Sequence, residues 1–101
     1  MFSIEQMEGT HLPIQYRVEI YEHSFINDAS ATFEASTPFM AIHVGDYIDH
    51  RSWLDAGSVS SEIDQQQTLR VKAINHLIWK IDDSHIGHSL SVLVEVVPSP
   101  V

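Results

Sequence analysis

The most regular feature of this chain is the alternation of apolar and polar residues with a period of two, which is the pattern of β-strands that bury one face. The runs that show this alternation cover residues 14–20, 31–35, 69–81 and 90–96, and a further strand-like run, third in chain order, covers residues 40–47. Turn-forming residues separate the runs, and the segment 82–87 is the clearest of these turns. The pattern therefore predicts five strands, with a hairpin between the last two.

The middle of the chain, residues 51–67, lacks this alternation. Ser52 is placed to cap one helical turn that contains Trp53, and Gly57 is placed to close it. The polar remainder of this segment predicts a loop, so we expect at most one short helix. Gly45, inside the third run, predicts a bulge or a sharp bend.

Five strands of this length are too few for a large sandwich, and small sheets of this kind tend to close on themselves. The predicted fold is therefore mainly β: a small five-stranded, largely antiparallel barrel or barrel-like roll with at most one short helix. The long fourth strand is expected to bend and serve both halves of the barrel. We assign residues 1–11 to an irregular N-terminal arm, residues 12–97 to a single β domain and residues 98–101 to an irregular tail, whose prolines lack the N–H that a central strand needs.

The fourth strand presents two different faces. Its odd positions are almost all apolar and are expected to face the core; they include Leu69, Val71, Ala73, Leu77, Trp79 and Ile81. Its even positions combine three cations with apolar residues and are expected to face outward; they are Arg70, Lys72, Ile74, His76, Ile78 and Lys80. Leu93 and Val97 of the last strand extend this outer face if the two strands pair.

This outer surface is the main functional hypothesis, because exposed apolar patches on a small domain tend to mark contacts with a partner. The predicted interface consists of Ile74, His76, Ile78, Leu93 and Val97, with Arg70, Lys72 and Lys80 at its rim. In the alternative, the middle loop or the N-terminal arm covers and buries this face. Cross-strand pairing of the cations with Glu19, Glu34 or Glu95 is a further explanation for their presence.

The chain contains seven histidines, which are common metal ligands and general bases. If residues 82–88 form the hairpin turn, His76 lies roughly 20 Å from His85 and His88, at about 3.3 Å per residue along the strand. Metal ligands lie about 2 Å from their ion, so these three histidines are not expected to share a site. His85 and His88 are predicted to be polar residues of a solvated turn, with a surface metal site that includes Asp82 and Asp83 as the alternative.

A second group, His43, Asp46, Asp49 and His50, has donor atoms suited to zinc or a non-haem metal. These residues are the candidates for a metal or ligand site, although their spacing matches no established metal-binding motif. Asp46, which follows Gly45, is explained equally well as the cap of a turn. The sequence predicts no catalytic residue and no cofactor.

The charge of the chain argues against two classes of partner. Fourteen acidic residues against five basic ones give a formal charge of −9 at pH 7, and such a chain repels both nucleic-acid phosphates and anionic membrane surfaces. We therefore expect no direct contact with nucleic acid or membrane. An acidic protein can still block a basic groove on a protein partner, and this remains a third hypothesis.

The chain has no cysteine, which rules out disulfides and thiolate chemistry and favours a cytoplasmic location. Its first residues lack the basic and apolar segments of a signal peptide. No stretch approaches the ~20 apolar residues of a membrane helix.

These observations together predict a soluble, non-catalytic module for protein interaction or assembly. We expect it to form a homodimer, and its partner is either a second copy of the chain or another protein. A small metal- or ligand-binding barrel, with its site at residues 43–50, is the alternative.

Overall fold

Five strands form one sheet in the computed structural model, which describes residues 12–100. The strands are β1 (Ile14–Glu22), β2 (Ala31–Ala35), β3 (Tyr47–Ile48), β4 (Gln67–Ile81) and β5 (His85–Pro98). Their order across the sheet is β2-β1-β5-β4-β3, and the sheet curves into a half-barrel. The prediction of a mainly β, barrel-like fold with five strands is confirmed. Residues 1–11 and Val101, which belong to the predicted arm and tail, lie outside the described residues.

The two strands farthest apart in sequence pair at the centre of the sheet. β1 runs parallel to β5, from Ile14 beside Ile86 to Glu22 beside Val94, and the other three pairings are antiparallel. Because β2 and β3 do not pair with each other, the sheet formed by residues 12–100 has two edges and does not close into a complete barrel. Pro98 ends β5, four residues beyond Val94, the last residue that pairs with β1. The N–H that proline lacks would point to the side of β1, so no hydrogen bond of the sheet is lost.

The core lies on the concave face of the sheet. Its buried apolar residues come from four strands and are Val18, Ile20, Ala31, Leu69, Val71, Val92 and Val94. The connection between β2 and β4 covers this face and packs Ile42, Trp53, Val59 and Ile63 against it. The alternating patterns of β1, β2 and β5 therefore predicted the buried face correctly.

The connection between β2 and β4 differs from the sequence prediction in two places. The third strand contains only Tyr47 and Ile48 rather than residues 40–47, because a turn at residues 43–46 interrupts the alternation. A single 3-10 turn spans Leu54–Ala56 and has no side-chain cap, so the predicted capping role of Ser52 is wrong. Gly57 closes that turn as predicted, with a φ of 140°, and a Cβ at this position would collide with the carbonyl oxygen of Ser30.

A β-bulge at Lys72 reverses the predicted faces of β4. Val71 lies opposite Val94, but Ala73 lies opposite the adjacent residue Leu93, so Lys72 is an extra residue in the ladder. Since side chains alternate along a strand, one extra residue transfers every later side chain to the other face. Beyond the bulge, the even positions therefore share the face of the core, and Ile74 packs against it.

Trp79 consequently lies on the convex face and is not a core anchor. It is directly opposite Gly87, and its indole ring occupies the space that a side chain at Gly87 would need. The guanidinium group of Arg17 lies 5.5 Å from the centre of the same ring and donates from Nε to Glu34 at 3.0 Å. This row of contacts joins β4, β5, β1 and β2 on the convex face. Trp53, by contrast, contacts Phe33 and packs against the core.

Within the described residues, no helix has the length and apolar character needed to cross a membrane.

Candidate functional site

The bulge divides the predicted interface between the two faces of the sheet. Ile74, His76, Ile78 and Lys80 lie on the concave face, whereas Leu93 pairs with Ala73 on the convex face, which Val97 also shares. The single continuous patch expected from the sequence is therefore wrong, because the period of two changes phase at Lys72. Arg70 lies on the convex face and donates to Glu95 at 3.0 Å from Nη2, which is one of the expected cross-strand ion pairs.

Among the described residues, the outer edge of β4 has no partner strand over most of its length. β3 pairs only with Leu69 and Arg70, and Val71 exchanges two further backbone hydrogen bonds with Gly45 and Asp46. Within residues 12–100, no strand continues this pairing along residues 73–81, which we call the open edge. At about 3.4 Å per residue the open edge is roughly 30 Å long.

The backbone direction identifies which residues present hydrogen-bonding groups at the open edge. Ile86 donates its N–H to Pro13, away from β4, at 2.9 Å. Its partner Lys80 therefore belongs to a non-hydrogen-bonded pair of the β4–β5 ladder, and its N–H and C=O point outward. By the same alternation, the N–H and C=O groups of Ile74, His76 and Ile78 also point outward.

Apolar side chains are exposed along the open edge on both faces of the strand. Ile78 is 69% exposed on the concave side, and Leu77 and Ile81 are 55% and 48% exposed on the convex side. Long, exposed and apolar strand edges are rare in native proteins because they pair readily with other chains. The exposure of Ile78 is consistent with the prediction that its side chain is accessible. It is exposed because it lies beyond the end of the core, and not because it lies on the outer face.

The open edge has opposite charges at its two ends. Lys72, at the bulge, is exposed at one end. At the other end, Asp82 and Asp83 follow the strand and outweigh the single charge of exposed Lys80, so that end is net negative. β4 itself contains no acidic residue. The hairpin turn is short, with Asp83 in the left-handed conformation at φ 59°, which aspartate tolerates better than most residues.

The structure does not assemble the predicted metal group at residues 43–50. The Asp46 carboxylate accepts a hydrogen bond from the backbone N–H of His43 at 2.7 Å, so Asp46 caps the turn. Asp49 instead binds Arg51, whose Nη2 and Nε donate to its carboxylate, and His50 contacts the ring of Trp53. Within residues 12–100, no cluster of three or more histidine or carboxylate side chains is arranged to hold a metal ion.

His76 and His88 are in contact, which corrects the expected separation of roughly 20 Å. His76 Nδ1 lies 3.0 Å from His88 Nε2. The sequence prediction placed His88 in the turn, but β5 begins at His85 and runs back along β4, so His88 lies opposite Ile78 and diagonal to His76. His85 remains apart from this pair and contacts the hydroxyl of Ser84.

A cavity of about 220 Å³ opens beside the histidine pair on the concave face. Tyr16 is part of its wall and contacts His88 edge to face, with ring centres 6.3 Å apart. Strands β1 and β5 form the floor, and residues 38–42, which precede the turn at residues 43–46, form the opposite wall. The sequence could not identify this cavity, because its parts are far apart along the chain.

Glu22 is a buried carboxylate that sequence analysis did not single out. It is 6% exposed and accepts hydrogen bonds from the backbone N–H of Ser60 at 2.8 Å and of Ser61 at 3.0 Å, and from the hydroxyl of Ser30. Burial alone raises the pKa of Glu22, but these hydrogen bonds outweigh it and lower the pKa to about 2. Glu22 therefore fixes the loop at residues 60–61 to the end of β1, which is a structural role.

Comparison of the chain with protein-family models, with curated protein sequences and with solved structures gave no match.

Proposed function

We propose that this chain is a non-catalytic assembly module that forms a homodimer by pairing the open edges of two copies. The observation that carries the proposal is the open edge itself, which combines outward-pointing backbone groups with exposed Leu77, Ile78 and Ile81. Pairing with another strand would satisfy the backbone groups and cover the apolar side chains at the same time.

A second copy fits the open edge because the edge is self-complementary. Two identical strands related by a twofold axis pair in antiparallel fashion, so each end of one edge meets the opposite end of the other. This brings Lys72 of one copy towards Asp82 of the second copy, and the reverse contact forms at the other end. Opposite charges at both ends stabilise this arrangement and disfavour a parallel one.

The alternation of backbone groups selects a register for the dimer. Pairing centred on Leu77 places each Ile78 opposite the second copy's His76 and each Ile74 opposite the second copy's Lys80. These are the residues whose backbone groups point outward, so their N–H and C=O groups can exchange hydrogen bonds. Leu77 then contacts Leu77 of the second copy on the convex side.

The charge and composition of the chain extend the proposal. The formal charge of −9 favours a protein partner over nucleic acid or an anionic membrane, and the lack of cysteine favours a cytoplasmic location.

The first test is the solution mass of the full chain by size-exclusion chromatography with light scattering. We expect twice the chain mass of 11.4 kDa for the wild type and the monomer mass for Ile78→Pro. Proline removes an N–H that points to the open edge and leaves the β4–β5 ladder intact, so the variant should stay folded.

Ile78→Glu and Ile26→Glu provide a matched pair. Ile26 is 92% exposed in the connection between β1 and β2, so the same substitution there should fold and remain dimeric, whereas Ile78→Glu should fold and dissociate. A monomeric wild type, or a dimer that survives both substitutions of Ile78, contradicts the proposal. A dimer that Ile26→Glu disrupts equally would place the interface elsewhere.

A further inference from the structure

The cavity beside His76 and His88 combines an apolar wall with two polar groups. Val18 and Leu90 line it from the sheet, and Phe39, Met40 and Ile42 line it from the segment opposite. This composition is typical of sites for small organic molecules, in which apolar surface binds the body of the ligand and a few polar groups orient it. Of the residues that line the cavity, His76 alone belongs to the open edge.

The two imidazole rings are joined by a hydrogen bond that lies close to their planes. The ring planes differ by 20° and the centroids are 5.3 Å apart. The distance between the centroids equals the 3.0 Å distance between His76 Nδ1 and His88 Nε2 plus about one ring radius for each ring. The rings therefore meet edge to edge. One ring therefore donates an N–H to the other, and the remaining nitrogen of each ring, His76 Nε2 and His88 Nδ1, is free of this bond.

The protonation state of the pair determines what these two free nitrogens can bind. In the neutral pair, either choice of tautomer leaves one free N–H donor and one free acceptor. When the pair takes up one proton, both free nitrogens become donors and the N–H···N bond between the rings is retained. A carboxylate accepts hydrogen bonds and carries a negative charge, so it favours the cationic pair, in which either free nitrogen is a donor.

The surroundings of the pair also favour an anionic ligand. The cavity, as far as residues 12–100 define it, has no acidic residue in its wall, in a chain with fourteen acidic side chains. Arg17 also lines the cavity, and its guanidinium group lies over Trp79 on the convex face. On the concave face, the titratable neighbours are the Tyr16 hydroxyl group on β1 and the Lys80 ammonium group on β4, and residues 38–42 contribute none. The wall of the cavity therefore adds no negative charge that would repel a carboxylate.

The size of the cavity limits the ligand. Its volume of about 220 Å³ exceeds the ~150 Å³ of an engineered protein cavity that holds benzene. There is room for one aromatic ring or a short alkyl chain together with a carboxyl group.

We propose that this cavity binds a small amphipathic carboxylic acid, with its apolar part against Phe39, Met40 and Leu90 and its carboxylate on the histidine pair. Binding is coupled to the uptake of a proton, because the negative charge of the carboxylate stabilises the cationic pair, in which the free nitrogen nearest the ligand is a donor. This proposal goes beyond assembly and does not depend on the dimer.

The test uses 3-phenylpropanoate as the probe and the full-length protein. Binding is followed by ¹H–¹⁵N NMR titration, and calorimetry in two buffers of different ionisation enthalpy measures the protons taken up. We expect saturable shifts in residues that line the cavity and net proton uptake at pH 7 to 8. The alcohol 3-phenylpropan-1-ol, which has nearly the same shape without the charge, should bind at least about tenfold more weakly and take up no proton.

His88→Gln and His85→Gln form the matched control on the same hairpin. His88→Gln should weaken binding of the acid at least about tenfold and abolish proton uptake, while His85→Gln should change neither. NMR spectra of the free variants establish that both are folded. The proposal is overturned if millimolar 3-phenylpropanoate produces no saturable shifts at the cavity, if the alcohol binds as tightly as the acid, or if the two histidine substitutions have equal effects.

Discussion

The indole ring of Trp79 lies over Gly87, its direct partner on β5, in the space that a side chain there would occupy. A glycine inside a strand is normally unfavourable, but here it allows an aromatic ring to cover the backbone, an arrangement that also stabilises designed sheets. The pair explains why Trp79 is only partly exposed on a face that the core does not reach.

Gly87→Ala should destabilise the protein by about 1–3 kcal/mol, because the new methyl group forces the indole away. Urea denaturation measures the change, and Trp79 fluorescence should shift as the ring becomes more exposed. In a Trp79→Val background the collision is absent, so the same alanine should be neutral or stabilising. An equal cost in both backgrounds would show that the glycine is required for another reason.

Removing the buried carboxylate of Glu22 should lower the free energy of unfolding at neutral pH by about 3 kcal/mol. This is the free energy that corresponds to the difference between its folded pKa and its ordinary pKa. The folded pKa, about 2, is below the ordinary value of 4.5. The stabilisation is therefore complete above about pH 5 and is lost as the pH falls towards 2.

Urea denaturation of the wild type and Glu22→Gln at several pH values tests this expectation. The difference between the two proteins should shrink as the pH falls. Glu62→Gln is the control, since Glu62 is exposed nearby, and it should change stability by less than about 0.5 kcal/mol. A constant difference between wild type and Glu22→Gln from pH 7 to pH 3 would contradict the assigned hydrogen-bond network.

Deleting Lys72 should be tolerated, because it removes the extra residue of the bulge and leaves every other side chain on its present face. Deleting Asn75, another exposed residue of β4, should transfer all later side chains of the strand to the opposite face. Trp79 would then leave Gly87. We expect native-like Trp79 fluorescence for the first deletion and a changed, more exposed signal with lower urea stability for the second. Equal behaviour of both deletions would argue against the bulge.

Charge reversal tests the proposed orientation of the dimer. Lys72→Glu and Asp82→Lys should each weaken association, because each places like charges together at both ends of the paired edges. Exposed ion pairs contribute about 0.2–1 kcal/mol each, so two equivalent contacts imply about a two- to thirtyfold rise in the dissociation constant. The double variant should restore the wild-type value. Sedimentation velocity at several concentrations measures the constants, and failure of the double variant to recover would exclude the antiparallel arrangement.

The local alternation of apolar and polar residues was sufficient to predict the strands and most of the core residues. Val18, Ile20, Val92 and Val94 are buried where the alternation predicts, because a period of two follows directly from strand geometry. The alternation was not sufficient to predict which side chains of β4 face the core. The bulge at Lys72 exchanges the two faces of the strand, and no local signal such as a glycine marks it.

The histidine pair and the hydrogen bonds of Glu22 depend on contacts between residues that are far apart in the sequence, and no local pattern predicts such contacts. His76 and His88 are twelve residues apart in sequence, and they meet only because the β4–β5 hairpin folds back from residue 82. Glu22 contacts Ser60 and Ser61, 38 and 39 residues away, through a loop that shows no periodicity.

The sequence by itself determined that this chain is an acidic, mainly β domain with five strands, since composition and side-chain alternation are properties of short segments. Only the tertiary structure decided which faces are buried beyond residue 72, which edge of the sheet is open and which histidines meet. Those features depend on strand order and register, and these are set by the packing of the whole sheet against the connection between β2 and β4.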